Sequence, residues 1–167
     1  MQLDYQLQAF KAYIDGVGYA GAGEKLTTPA FKKMMEKRRG GGMLAARNHA
    51  HGYEPFEMTF EFSSYEPRII KMGGLFSRKG VPLSVTAAFD GDRDARHSAS
   101  FVCAGQFSEV DGAEFTPGKP AMLKAKALLD RLKLTIDGDV IYDIDVEADK
   151  YLVNGVDEYA WIRNALG

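Results

Sequence analysis

The chain has 167 residues, 46% apolar and 26% charged, with 21 Lys+Arg against 23 Asp+Glu and a formal charge of −2. That length suits one domain (residues 1–167) with a core that needs no staples, and the near-neutral balance argues against a general nucleic-acid binder, which carries a basic excess. The single cysteine, Cys103, excludes an intramolecular disulfide framework and a Cys-based zinc cluster and suits a reducing compartment; no apolar run approaches the roughly 18 residues that span a bilayer, and Met1–Tyr5 has no basic-then-apolar leader pattern.

In chain order, Phe10–Ile14 reads as a strand closed by the turn pair Asp15-Gly16. Residues 28–52 are too hydrophilic to be core. Lys32–Arg39 is basic and weakly periodic, and Arg38-Arg39-Gly40-Gly41-Gly42-Met43 breaks any regular element, because three glycines carry a high entropic cost. The segment predicts a long extended loop or hairpin, and excursions of this length tend to be functional or disordered. Phe56–Ser63 alternates strictly, apolar on even and polar on odd positions, which is a half-buried strand. Pro67–Met72 suits a short helix with Pro in its first turn and Gly73-Gly74 stopping it.

Further strands are predicted at Leu83–Phe89, ended by Asp90-Gly91-Asp92, at Ala99–Val110, and at Ala121–Ile136. The last of these changes phase. Leu123, Ala125, Ala127 and Leu129 put the apolar side on odd positions, and Leu132, Leu134 and Ile136 put it on even ones. A bulge near Asp130 would re-aim the side chains, or the strand leaves one layer for another. Asp137-Gly138 is a two-residue hairpin signal, and Val140–Glu147 returns with Val140, Tyr142, Ile144 and Val146 on one face and Asp143, Asp145 and Glu147 on the other. A C-terminal helix is expected from Val156, Tyr159, Ala160 and Ala165-Leu166, with Asp157 and Glu158 in its first turn and Arg163 in its last. The fold class is therefore mainly β: an antiparallel β-barrel or sandwich with a short internal helix, a C-terminal helix and a long hairpin-like excursion.

Charge is unevenly spread. Residues 1–80 hold 12 Lys+Arg and 8 Asp+Glu, while residues 81–167 hold 9 and 15. Basic side chains gather at Lys32, Lys33, Lys37, Arg38, Arg39 and Arg47, and acidic ones at Asp90, Asp92, Asp94 and from Asp137 to Asp149. These are either solvated faces or complementary patches that favour head-to-tail contact with another copy.

No catalytic apparatus emerges. His49 and His51 share a strand face, but a third ligand would have to be Glu54 or His97 and no HExxH pattern surrounds them, so they read as solvated histidines. Asp137, Asp139, Asp143 and Asp145 lack the order of a calcium loop and alternate with Val and Ile as a strand does. Gly16-Val17-Gly18 and Gly40-Gly41-Gly42 match no phosphate-binding motif and read as turns. Cys103 lies in an apolar strand as a small buried hydrophobe rather than a nucleophile. No cofactor and no metal is expected.

Arg38-Arg39-Gly40-Gly41-Gly42-Met43 and Asn154-Gly155-Val156-Asp157 followed by Ala165-Leu166-Gly167 resemble the major tail tube protein family of contractile-tailed bacteriophages and phage-tail-like bacteriocins. Phe10–Gly21, Leu26–Pro29 with Phe31, Glu57–Phe60, Leu132–Gly138 and Ile144–Val146 fit the same family in the same order; the match weakens over Ala20–Lys25, and Trp161 is bulkier than the pattern. The resemblance implies a non-enzymatic virion protein whose homohexameric rings stack head to tail into the inner tail tube. It also implies a sheath protein, a tape-measure protein and a baseplate or tube initiator as partners, DNA only as transiting cargo, no membrane, and a place in the virion tail after assembly in the bacterial host cytoplasm.

Within that frame, Lys32, Lys33, Lys37, Arg38, Arg39, Gly40, Gly41, Gly42, Met43 and Arg47 are the expected inter-ring contact. Glu57 and Glu61, or Asp143 and Asp145, are acidic rows with the spacing of one strand face and are candidates for the lumen lining, where negative charge would repel phosphates. The rival readings are a type VI secretion-like tube ring delivering effectors and a monomeric small-ligand binding barrel.

Overall fold

The computed structural model describes residues 5–19, 22–75, 80–91 and 95–167. Ala20 and Gly21 of the expected N-terminal hairpin, Asp92 and Asp94 of the acidic excess, and Met1–Asp4 lie outside the described residues. Among the described residues, twelve strands and two short helices follow one another: β1 (Gln6–Ile14), β2 (Val17–Gly18), β3 (Gly23–Thr27), β4 (Lys33–Arg38), β5 (Arg47–Tyr53), β6 (Phe56–Phe62), α1 (Pro67–Met72), β7 (Val81–Asp90), β8 (Arg96–Val110), β9 (Leu123–Ile136), β10 (Asp139–Asp145), β11 (Lys150–Val153), β12 (Val156–Asp157) and α2 (Ala160–Leu166).

Ten strands form one antiparallel sheet and β4–β5 forms a separate two-stranded one. The main path runs β12-β11-β10-β9-β8-β7-β1-β2, with β3-β6 joining at β9. One edge of β9 pairs with β8. The other is shared: Leu123–Leu129 pairs with β6, and Arg131–Ile136 pairs with β10. Opposite β8, Ala104 faces Arg131 and Gly105 faces Leu129, so Asp130 is an extra residue. This is the bulge that the phase change predicted, and it coincides with the change of partner strand. Both Leu129 and Leu132 are buried as a result, although they differ in parity.

The core sits on the inner face of this curled sheet. Phe56, Met58, Phe60 and Phe62 of β6 oppose Leu123, Ala125, Ala127 and Leu129 of β9, and Leu83, Val85, Phe101, Phe107 and Ile144 extend the cluster. Ile69 of α1 is fully buried among them. Cys103 is buried too, and burial pushes its thiol up to about 12, in keeping with a packed hydrophobe. The sheet's ends approach through side chains, Tyr19 packing on Phe62 with ring centroids 5.4 Å apart. Among the described residues no ladder joins β1 or β2 to β3, so the barrel is not closed.

The turn pairs behave as their chemistry dictates. Asp137 and Gly138 both take left-handed backbone, φ 49° and 89°, as do Asp15-Gly16 and Asn154-Gly155, which is the twist-matched two-residue hairpin turn. Two expectations need correction. Ile141 is an unpaired extra residue between Val140 and Tyr142, and the chain turns after Asp145, so Val140 and Val146 are exposed instead of sharing the buried face of Tyr142 and Ile144. The C-terminal helix begins at Ala160, because Asn154-Gly155 folds Val156–Asp157 back on β11. Asp157 lies before the helix, accepting from the Tyr159 N–H at 3.1 Å and from Arg163 at 3.1 Å.

Candidate functional site

The excursion is a hairpin standing clear of the core. In β4 every residue is exposed, and in β5 every residue but Tyr53. Lys33, Lys37 and Arg38 lie on β4, Arg47 on β5, Lys32 just before β4, and Arg39, Gly40, Gly41, Gly42 and Met43 in the connecting loop. All ten residues named as inter-ring contacts are therefore brought to this one projection. The loop is built by its own bonds: the Met43 N–H donates to the Gly40 carbonyl at 3.2 Å, Arg39 Nε donates to the Met43 carbonyl at 2.8 Å, and Gly42 supplies φ 85°. Leu44 stands out at 98% exposed, in a stretch from Lys37 to Arg47 that holds four cations and no acid. Of the two strand histidines, His51 Nε2 lies 2.6 Å from the Glu36 carboxylate across the ladder, while His49 faces solvent.

The hairpin's root is fastened by aromatics. Phe31 packs against Tyr142 (5.0 Å), Tyr53 (5.7 Å) and Phe56 (5.8 Å), and Tyr53 reaches Tyr151, which reaches Tyr159. Rings in such tilted and edge-on pairs add to simple area burial. The Tyr53 hydroxyl donates to Glu158 at 2.6 Å, tying β5 to the segment before α2 across 105 positions. Burial, then that bond, push the Tyr53 phenol up to about 12, so it stays a donor at any ordinary pH. Beside this root lies an open cleft of about 610 Å³, lined by Tyr53, Phe56, Leu129, Tyr151, Tyr159 and Ile162 and rimmed by Glu54, Asp130 and Glu158. Sequence reasoning missed it, although the recurrence of Tyr at 53, 151 and 159 was the signal available.

The two acidic rows differ. Glu57 and Glu61 of β6 project from the outer face of the main sheet, paired with Lys126 at 3.1 Å and Lys124 at 3.7 Å. Asp143 meets Lys150 at 2.7 Å. Asp145 is nearly buried; desolvation pushes its carboxyl up, but the Arg131 guanidinium and the Ala148 N–H more than offset this and hold it below the usual range. Asp145 is thus a locked structural ion. A further pair closes the far end of β8: Asp137 accepts from the Ser98 N–H at 2.8 Å and bonds His97, whose ring meets Tyr5 edge-on.

A family model described as phage tail tube protein FII matches residues 4–167. The chain is 24% identical over 173 residues to the tail tube protein of Escherichia phage P2, covering 100% of this chain and 99% of that one. Among solved structures, a chain of the anti-feeding prophage baseplate superposes with a TM-score of 0.50 at 7% identity over 75% of this chain and 90% of that chain. Hcp1 from Flavobacterium johnsoniae gives a TM-score of 0.43 at 12% identity, over 78% and 96%. The whole-length match, on an open antiparallel sheet with a projecting hairpin, makes the chain a member of the phage tail tube protein FII family, a structural and non-enzymatic component of the virion tail.

Proposed function

We propose that the protein is a single tail-tube domain that closes into homohexameric rings, and that these rings stack head to tail into the inner tube of a contractile tail. The observation that carries the reading is the β4–β5 hairpin, exposed at every residue but Tyr53: an ordered ladder with no core of its own has its stabilising contacts elsewhere. Lys32, Lys33, Lys37, Arg38, Arg39, Gly40, Gly41, Gly42, Met43 and Arg47 are then the inter-ring contact. The edges at β2, β3 and β12 that have no partner among the described residues are available to neighbouring protomers of the same ring, which resolves the edge problem. Stacking of identical rings is a heterologous contact and yields a filament.

The tube receives a sheath outside and a tape-measure protein inside, starts from a baseplate initiator, assembles in the host cytoplasm and conducts DNA at ejection. Of the acidic rows, Glu57 and Glu61 suit the lumen better than Asp143 and Asp145, because Asp145 is nearly buried against Arg131 and presents little of its carboxylate to anything passing outside. The Glu57–Lys126 and Glu61–Lys124 pairs make that face close to neutral, which avoids gripping a polyanion.

Negative-stain electron microscopy and light scattering of the purified protein at high concentration test the reading. Rings or hollow tubes are expected, and replacement of residues 37–48 by a short glycine-containing turn, which keeps the Tyr53 root, should leave rings that no longer stack. A chain that stays monomeric even with baseplate and tape-measure partners would overturn it.

A further inference from the structure

From the charge and shape of its two ends, we infer that the hairpin tip of one protomer docks into the aromatic cleft at the hairpin root of a protomer in the next ring, with Leu44 and Met43 entering the cleft. This rests on the stacking reading above and names both halves of its contact.

Three observations meet here. The tip pairs an apolar knob, Leu44 at 98% and Met43 at 42% exposed, with four cations, Lys37, Arg38, Arg39 and Arg47. The cleft has the opposite character: an apolar floor that includes Phe56, Leu129 and Ile162, a rim of Glu54, Asp130 and Glu158, and no Lys or Arg among its lining residues. Its roughly 610 Å³ lies within the range of about 300–1,000 Å³ typical of binding pockets, ample for two aliphatic side chains. Opposite charge around an apolar centre is the arrangement that sets register and partner choice at interfaces.

The third observation is reach. The tip and the cleft belong to opposite ends of one ladder, since His51, Gly52 and Tyr53 of β5 line the cleft. Six residues of strand rise about 20 Å, so a straight hairpin holds its own tip that far from its own root. The contact therefore joins two molecules, and each molecule keeps one free tip and one free cleft. That is head-to-tail propagation with a built-in direction. The Tyr53–Glu158 bond and the aromatic pairs at the root hold both ends in fixed relation, which limits the ordering cost of docking.

The test uses full-length chains under conditions in which the wild type forms tubes. A tip variant, Leu44→Asp/Arg47→Glu, keeps its cleft; a cleft variant, Asp130→Arg/Ile162→Arg, keeps its tip. Each alone should raise the protein concentration needed for tubes by at least about tenfold, the effect of losing about 1.4 kcal/mol. Mixed, the two should form stacks of two rings that go no further, because one productive interface remains; these capped pairs also establish that both variants are folded. If the cleft variant makes tubes like the wild type while the tip variant does not, the hairpin still joins rings but this cleft is not its receptor. If both variants make normal tubes, both the stacking role of the hairpin and its receptor are wrong. A mixture that yields only single rings also overturns the pairing.

Discussion

Gly105 offers the sharpest test of how the sheet is built. It faces Leu129 across the β8–β9 ladder, beside the bulged Asp130. A Cβ placed on Gly105 would press directly on the Leu128 carbonyl oxygen and lie 2.9 Å from both the Leu128 carbonyl carbon and the Leu129 Cα. These are backbone atoms of a strand paired on both edges, with β8 on one side and β6 on the other, so neither a rotamer change nor a small shift relieves the overlap. Overpacking of cores ordinarily costs about 1–3 kcal/mol, and a backbone collision at the junction of three strands belongs at or above the upper end. For a domain of this size about 3 kcal/mol corresponds to a fall of roughly 6–12 °C in Tm. Gly105→Ala should therefore melt lower by that amount, in thermal and urea unfolding monitored by circular dichroism. Gly112→Ala is the control: a Cβ there meets nothing within 4 Å and the backbone is not left-handed, so the change should be neutral or stabilising by up to about 1 kcal/mol. A Gly105→Ala protein that melts with the wild type would refute the close approach and, with it, the register around Asp130.

Three further expectations follow from the same contacts. Met58 of β6 is fully buried in the core, so Met58→Ala should cost about 2–5 kcal/mol in urea unfolding; a loss below about 1 kcal/mol would place it outside the core. The bonds from His97 and the Ser98 N–H hold Asp137 below the usual carboxylate range. Because the folded value is the lower one, the stabilisation is complete above the unfolded value of about 3.9 and disappears as pH falls through the folded one. Asp137→Asn, which tolerates the left-handed turn, should be less stable than wild type at about pH 5, with the gap closing in more acid solution; a gap that does not close in acid would contradict the assignment. Tyr53→Phe removes the bond to Glu158 and should lower stability by about 1 kcal/mol and speed amide exchange in β5; unchanged exchange would mean the root is held without that bond.

Local patterning carried much of the fold. Strict alternation over Phe56–Ser63 marked a half-buried strand because the side-chain period of a strand is two, and β6 buries its four even positions as that rule requires. Asp137-Gly138 specified a tight hairpin because both residues accept left-handed backbone, and the parity change between Leu129 and Leu132 located the bulge at Asp130. Elsewhere the local signal was incomplete. The end of β10 and the start of α2 depart from the sequence pattern because a bulged Ile141 and a two-residue strand, Val156–Asp157, are set by register against neighbours, which sequence spacing does not reveal.

An antiparallel β chain, its principal turns and a basic, glycine-broken excursion are readable from residue order alone, because periodicity, turn chemistry and charge act between residues close along the chain. Three features emerge only on folding: β9 divides one edge between β6 and β10, the sheet stays open among the described residues, and Phe31, Tyr53, Tyr142, Tyr151 and Tyr159 gather at the hairpin's root. Those features join residues as far apart as Tyr53 and Glu158, whose meeting depends on how strands curl and pack in space, and no local pattern encodes it.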